Sequence, residues 1–281
     1  MSDTSNSNLM ALAAPPGVAL LVIASEPGRA LLDVLEPLVR AGTAAIVVVD
    51  DGSSSARKWV LDRISMEPTV HLLRHAKPLG RGAALKTGMQ YFAEHLRHYT
   101  GLVTTTSDGR YATADVLRLM RASHRSPNLV ILGATEPNTP PASPGGFQSR
   151  WSLWDRVLGM AFRAVTRISL TDVQTRLRAL PAALLPQLIN IPGDRYEYEF
   201  AMLLHIARNG YPIAEHATFG SAEPWCLDDN YRPLADSFSM MRALLHNTAP
   251  EPVQPDHLLE TVGQPSGPER RSGISRAKQT R

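Results

Sequence analysis

Charged side chains gather in four short segments, each at the end of an apolar run or the start of a helical one. The first segment, VVVDDGSSS at 47–55, ends a run of valines with Asp50 and Asp51. Adjacent carboxylates repel each other, so they need a partner such as a metal, an arginine or the N–H and O–H donors of a nucleobase or ribose. The alternative is an Asp/Gly/Ser turn that caps the following helix.

The second segment, HAKPLGRGAALKTGM at 75–89, places Gly80, Arg81 and Gly82 at the start of a predicted helix. Free N–H groups at a helix N-terminus attract phosphates. The segment lacks P-loop spacing and has no acidic residue placed to bind ribose. A phosphate contact and a simple helix entry therefore both remain open.

Two further segments carry carboxylates. In VTTTSDGRY at 103–111, Asp108 follows another apolar run, so it is expected at the same sheet edge as the first pair. In RYEYEFAMLLHIARNGY at 195–211, Glu197 and Glu199 are two positions apart and cannot share one helical face. One of them should face the sheet edge, as a sugar ligand or a base, unless both are solvated first-turn acids.

Short runs rich in Val, Ile and Leu alternate with segments of helical spacing. The predicted strands are Val18–Ala24, Ala44–Val49, Thr69–Leu73, Gly101–Thr105 and Leu129–Leu132. The predicted helices are Arg29–Ala41, Ala56–Ser65, Arg81–His98, Thr113–His124, Trp151–Ile168, Arg195–Asn209 and 231–247. This alternation predicts an α/β fold with a doubly wound, mostly parallel sheet flanked by helices. Ligands of such sheets bind beyond the carboxyl ends of the strands.

Composition narrows the function classes. The 281 residues carry a net charge of +3, too small a surplus to predict nucleic acid as a partner. The single cysteine excludes an internal disulfide framework and a multi-cysteine metal cluster. No apolar run approaches the roughly 20 residues of a spanning helix, and residues 1–9 lack the basic start of a secretory signal. We therefore expect a cytoplasmic protein.

Three regions are predicted along the chain. Residues 1–16 form a flexible N-terminus, 17–248 a single domain, and 249–281 a disordered, Pro-rich basic tail. The tail is either simply solvated or a source of peripheral contact with the inner face of a membrane. The Pro/Gly-rich segment 134–148 is either a surface loop or a flap over a site.

Together, the motifs resemble the family-2 glycosyltransferases over about residues 17–245. They lie closest to the dolichyl-phosphate mannosyltransferase branch, whose members use polyprenyl phosphates. The resemblance rests on five motifs in order: VVVDDGSS, GRGAALKTG, TTSDG, TDVQTRLRALP and RYEYEFAMLLHIARNGYPI. It implies a GT-A fold and an inverting transfer of sugar from a nucleotide-diphosphate sugar to a polyprenyl phosphate or a glycan.

The resemblance also implies roles for individual residues. Nucleotide-sugar contacts would come from Glu26, Asp50, Asp51, Arg81 and Asp108. The residues expected to be catalytic are Asp108, Arg110, Glu197 and Glu199. Contacts to the sugar or acceptor would come from Gln174 and Arg178, with Arg150 in place of the family's acceptor arginine.

Several positions depart from the family pattern. The family's D-x-D-G-Q runs from Thr106 to Arg110 here, so Asp108 is its one remaining metal ligand. Mg²⁺ or Mn²⁺ is one option, and metal-independent action is the other. Our hypothesis for the second is that Arg110 supplies positive charge in place of the metal. The family's QTG ends here in Arg176, which adds bulk and charge.

Two alternatives to a working glycosyltransferase remain. A degenerate family member would bind a nucleotide sugar or a partner enzyme without turnover, which the altered D-x-D favours. The other alternative is a nucleotidyltransferase or an unrelated α/β nucleotide binder. A nucleotidyltransferase would release pyrophosphate from a nucleoside triphosphate and a sugar phosphate.

Overall fold

The computed structural model describes residues 13–135, 148–218 and 259–261. The strands are β1 Val18–Ala24, β2 Ile46–Asp50, β3 Val70–His75, β4 Gly101–Thr106, β5 Val130–Thr135, β6 Arg178–Pro181, β7 Ile213–Thr218 and β8 Leu259–Thr261. The α-helices are α1 Arg29–Arg40, α2 Lys58–Ser65, α3 Arg81–His95, α4 Thr113–Arg125, α5 Gln148–Thr166, α6 Leu185–Ile189 and α7 Tyr196–Arg208.

The strands form one sheet in the order β7-β5-β6-β4-β1-β2-β3-β8. Strands β4, β1, β2 and β3 are parallel neighbours, and β5 pairs in parallel with β7. Strand β6 runs antiparallel between β4 and β5. The predicted doubly wound, mostly parallel α/β sheet is confirmed.

Two hydrophobic cores cover the two faces of the sheet. Along β1, Leu21 and Ile23 face the core formed with α3, α6 and α7. Leu20 and Val22 face the core formed with α1, α2 and α4. Every residue of β1 is buried, because successive side chains point to opposite faces and both faces are covered. These cores fix the strand ends on which the polar segments lie.

The structure adds elements that the sequence analysis missed. Strand β6 lies in a segment read only as a motif, and β7 alternates partly buried and exposed residues. Strand β8 pairs antiparallel with β3 inside the segment expected to be a disordered tail. The predicted helix 231–247 and most of the segment 134–148 lie outside the described residues. Within the described ranges, no helix is long and apolar enough to cross a membrane.

Candidate active site

The polar segments meet at one edge of the sheet. Strands β1 to β4 all end at this edge, and the antiparallel β6 begins there, with Thr104 opposite Arg178. Helices α3 and α7 also begin close to each other, since the N–H of Ala83 donates to the carbonyl of Asp194 over 3.0 Å. The edge has an acidic part after β1 and β2 and a basic part after β4.

In the acidic part, Asp50 is buried and bonded to its own loop. Its carboxylate accepts from the hydroxyl and the N–H of Ser53 and lies 3.0 Å from Nε of Arg74. Burial raises the pKa of Asp50, and the bonds from Ser53 and the charge of Arg74 offset only part of that rise. Asp50 therefore ties the turn after β2 to the end of β3.

Asp51 joins the loop after β2 to the loop before α3. Its Oδ1 lies 2.7 Å from Nδ1 of His75 and accepts from the N–H of Leu79, and its Oδ2 accepts from the N–H of Gly80. Burial opposes ionisation, but these bonds lower the pKa of Asp51 below its usual value. The N–H groups of Leu79 and Gly80, just before α3, are thus engaged by the protein's own carboxylate.

Gly52 allows the two loops to touch. Its φ of +66° lies in the left-handed region that favours glycine. A Cβ at this position would lie 2.3 Å from the carbonyl carbon of Lys77 and 2.4 Å from the nitrogen of Pro78. The glycine after the two aspartates is therefore required by backbone packing as well as by the turn.

Glu26 lies at the outer end of the acidic part. Its carboxylate accepts from the N–H and hydroxyl of Ser54 at 2.6 and 2.9 Å, and from Nε of Arg57 at 3.0 Å. The N–H of Ser54 is the main cause of a lowered pKa at Glu26. The structure thus brings Glu26, Asp50 and Asp51 together, as expected, and fills much of their bonding capacity from the chain itself.

The centre of the basic part is a buried ion pair between α3 and α7. Nε of Arg81 lies 2.7 Å from Oε2 of Glu199, and both side chains are more than nine-tenths buried. Burial raises the pKa of Glu199, but the guanidinium groups around it, with Arg81 first, lower it overall. Gly82 lets the helices approach, since a Cβ there would lie 2.6 Å from Cβ of Tyr198.

Asp108 and Arg110 form the outer side of the basic part. The Asp108 carboxylate accepts from the hydroxyl of Thr106 at 2.5 Å and from the N–H of Arg110 at 3.1 Å. The Arg110 guanidinium lies 3.3 Å from the other carboxylate oxygen. Burial opposes ionisation of Asp108, but the charge of Arg110 lowers its pKa overall.

Arg176 projects into the same part from the residues before β6. Its N–H donates to Oη of Tyr111 at 2.8 Å, and its carbonyl accepts from the hydroxyl of Thr104 at 3.1 Å. Its guanidinium lies 5.4 Å from the ring centre of Tyr196. Burial, and then the like charges of Arg81 and Arg110, lower the pKa of Arg176.

Arg178 lies beneath this surface. It is 1% exposed and donates to the carbonyls of Thr175, Glu199 and Val173. A buried guanidinium needs such acceptors. The structure therefore brings Arg178 to the expected edge but points its guanidinium at the backbone of α7 and of the segment before β6.

Glu197 and Gln174 each bond to neighbours in their own segment of the chain. Oε1 of Glu197 accepts from the N–H groups of Asp194 and Arg195, a bond pattern that closes the start of its own helix. Gln174 is partly exposed, and its N–H donates to the carboxylate of Asp172. Of the two glutamates two positions apart, the structure turns Glu199 to the sheet edge.

Sequence reasoning passed over residues that the structure places at the edge. Arg74 and His75 pair with the two aspartates of the acidic part. Their position, as polar residues at the end of the apolar run of β3, was the sequence feature that could have indicated this role. Arg176 appeared only as a departure from the family pattern. Arg150 lies in α5, with its side chain outside the described part of the chain.

The donor set of the basic part does not fit a divalent cation. Such ions need several oxygen ligands, whereas Asp108 shares this surface with the guanidinium groups of Arg110 and Arg176. Within residues 13–135, 148–218 and 259–261, no three His, Cys, Asp or Glu side chains are grouped so that they could hold a metal.

Comparison with known proteins adds one sequence relative and several structures. The chain is 30% identical over 177 residues to the undecaprenyl-phosphate mannosyltransferase of Micrococcus luteus, covering 60% of this chain and 69% of that protein. No protein-family model matches the chain.

The solved structures resemble the chain in fold. One is glucosyl-3-phosphoglycerate synthase from Mycobacterium tuberculosis in complex with Mn²⁺, UDP and phosphoglyceric acid. It superposes with a TM-score of 0.58 at 15% identity, covering 85% of this chain and 81% of that one. A second, described as a mycobacterial protein, gives a TM-score of 0.56 at 18% identity, covering 85% and 76%. The expected GT-A fold is confirmed.

Proposed function

Because the chain belongs to the family-2 glycosyltransferases, in the polyprenyl-phosphate branch, we propose that it transfers a sugar from a nucleotide-diphosphate sugar to a polyprenyl phosphate. The supporting observation is that residues from the four charged motifs of the sequence meet at one sheet edge, where α/β sheets bind ligands. The similarity to a mannosyltransferase supports a hexose as the transferred group.

We assign the nucleoside to the acidic part. A carboxylate offers about four acceptor positions, and Asp51 uses three of them for His75, Leu79 and Gly80. The remaining position on Oδ2 can accept one N–H from a base. Glu26, at the outer end of the same part, is placed for a ribose or base contact.

The pKa values in the basic part favour an acceptor that is already ionised. A sugar hydroxyl needs a general base with a pKa near the working pH. Both carboxylates of this part, Asp108 and Glu199, have lowered pKa values and are weak bases. A phosphate oxygen is anionic at neutral pH and needs no such base, so this observation supports a polyprenyl phosphate over a glycan hydroxyl.

In the proposed inverting reaction, an oxygen of the acceptor phosphate attacks the anomeric carbon from the face opposite the leaving group. The new C–O bond forms as the bond to the β-phosphate breaks, and the electron pair leaves with the nucleoside diphosphate. We assign Asp108 and Arg110 to the place where the sugar and diphosphate meet. Because the proposed acceptor is a lipid, we expect peripheral contact with a membrane surface. The cytoplasmic location also stays a prediction.

The test incubates the full chain with short-chain polyprenyl phosphate and the mannose and glucose conjugates of GDP, UDP, dTDP and CDP. We expect a glycosylated lipid with one donor, and NMR of the product should show an inverted anomeric centre. Donor binding without glycolipid or free sugar would indicate the degenerate alternative. Retention of the donor's anomeric configuration would contradict the inverting mechanism.

A further inference from the structure

The basic part brings together guanidinium groups from separate stretches of the chain. Arg110 follows β4, Arg176 precedes β6 and Arg81 begins α3. The charges of Arg81 and Arg110 both act on Arg176. Asp108 lies against Arg110, and Glu199 pairs with Arg81. Guanidinium groups brought together in a partly buried place favour the binding of an anion.

The Arg110 and Arg176 side chains are held in place. Arg110 is 14% exposed and lies against the Asp108 carboxylate. Arg176 has its N–H and carbonyl bonded to Tyr111 and Thr104, and its guanidinium lies over the ring of Tyr196. A cationic group that is already positioned loses little conformational freedom when it binds an anion.

The two side chains approach from neighbouring strands. Strands β4 and β6 are paired, with Thr104 opposite Arg178, so the segments after β4 and before β6 lie side by side. Guanidinium groups offer planar pairs of N–H donors that match phosphate oxygens. A diphosphate, with its several anionic oxygens, can engage both groups at once.

We propose that Arg110 and Arg176 together bind the diphosphate of the donor, at the place where the family's D-x-D would hold a divalent cation. The proposal rests on the proposed function and adds Arg176 as a binding residue. One cause then explains two departures from the family pattern. Thr106 replaces an acidic metal ligand, and Arg176 supplies a positive charge in place of the metal.

The assignment accounts for the charge that develops during transfer. When the bond between the anomeric carbon and the β-phosphate oxygen breaks, the electron pair moves to that oxygen and the nucleoside diphosphate gains a negative charge. No proton has to move, because the attacking phosphate oxygen is already anionic. Two guanidinium groups beside the leaving oxygen stabilise this charge without a metal.

The proposal is tested by calorimetry. The full chain is titrated with pyrophosphate, GDP, UDP and farnesyl phosphate, each in EDTA and in Mn²⁺. We expect pyrophosphate and one nucleoside diphosphate to bind in EDTA. Arg176→Gln and Arg110→Gln should each weaken that binding about tenfold or more, the usual worth of a hydrogen bond between charged groups. Arg63→Gln, at an exposed arginine of α2, is the matched control and should change nothing.

Three results would overturn the proposal. The first is nucleoside diphosphate binding that needs Mn²⁺ and is unchanged in Arg176→Gln. If the wild type still transfers sugar, that result overturns the proposal and leaves the proposed function intact. Arginine-dependent binding of farnesyl phosphate, with no effect on nucleotides, would place the acceptor here instead. Absence of both nucleotide binding and sugar transfer in the wild type would overturn the proposed function as well.

Discussion

The acidic and basic parts of the sheet edge use their charges in opposite ways. In the acidic part, the carboxylates of Asp50 and Asp51 accept from the chain's own Ser53, His75 and backbone N–H groups. In the basic part, guanidinium groups lie near one another and share two carboxylates. The acidic part therefore fixes the loops after β2 and β3, and the basic part gathers guanidinium groups from separate stretches of the chain.

This difference shows why charged motifs at equivalent strand ends need not have equivalent roles. Asp51 carries a lowered pKa because it is well bonded. Arg176 carries a lowered pKa because burial and neighbouring cations disfavour its charge. An anion bound beside Arg176 would favour the charged guanidinium. It would have little effect on Asp51, whose charge is already stabilised by its hydrogen bonds.

The largest effect is expected at the buried ion pair of the basic part. Glu199→Ala leaves Arg81 charged and buried without its carboxylate, so the free energy of unfolding should fall by about 3–5 kcal/mol. Urea denaturation measures the loss. Glu67→Ala, which removes an exposed pairing with Arg63, is the control and should cost less than about 1 kcal/mol. An equal loss of unfolding free energy in the two variants would contradict the burial of the Arg81–Glu199 pair.

The two aspartates of the acidic part should respond differently to neutralisation. The folded pKa of Asp51 is lowered, so its stabilisation is present above its unfolded pKa of about 3.9 and is lost as pH falls through the folded value. Asp51→Asn should therefore lower the free energy of unfolding at neutral pH by about 1–3 kcal/mol, and by less under acid conditions.

Asp50→Asn is the matched comparison. Its pKa is raised, so ionisation of Asp50 weakens the fold as pH rises above the unfolded pKa of about 3.9. The Asp50→Asn variant should be the more stable of the two at neutral pH, as measured by urea denaturation. The opposite ranking would show that the bonds to Asp51 are not the stabilising ones.

A carboxylate added to the basic part should change its ligand preference. Thr106→Asp places a second acid beside Asp108, so nucleoside diphosphate affinity in EDTA should fall about tenfold through repulsion. Mn²⁺ should restore it, because two carboxylates supply oxygen ligands. Thr106→Asn, of similar size and neutral, controls for packing. An affinity in EDTA that Thr106→Asp leaves unchanged would contradict the role given to local charge.

The smallest effect is expected at Glu197. Because its carboxylate closes the start of α7, Glu197→Gln should cost about 1 kcal/mol or less of stability. The kcat for sugar transfer should stay near the wild-type value. A large fall in kcat at unchanged stability would return Glu197 to the catalytic group expected from the family resemblance.

Much of the fold could be predicted from the sequence, because buried apolar runs alternate with helical spacing. The prediction for β1 matches Val18–Ala24, and β2 to β5 agree within a few residues. Strand β6 was missed because four residues containing Arg178 and Pro181 show no strand periodicity. Strand β7 was missed because half of its sequence, IAEHAT, is polar.

The sequence also indicated which residues gather at the edge, since parallel strands place their carboxyl ends together. It could not indicate how each side chain is paired. The contacts of Asp51 with His75 and of Arg81 with Glu199 join residues 24 and 118 positions apart. Arg176 was visible only as a departure from a pattern, and its meaning depends on neighbours brought in by β4 and α3.

The most direct test of the account is sugar transfer itself in the absence of divalent cations. The glycosylated polyprenyl phosphate formed from each nucleotide sugar would be quantified by mass spectrometry, in EDTA and in Mn²⁺, for the wild type and for Arg176→Gln. We expect product from one donor in EDTA, little change on adding Mn²⁺ and a marked loss in the variant. Product that forms only with Mn²⁺, at equal rates in both proteins, would contradict it.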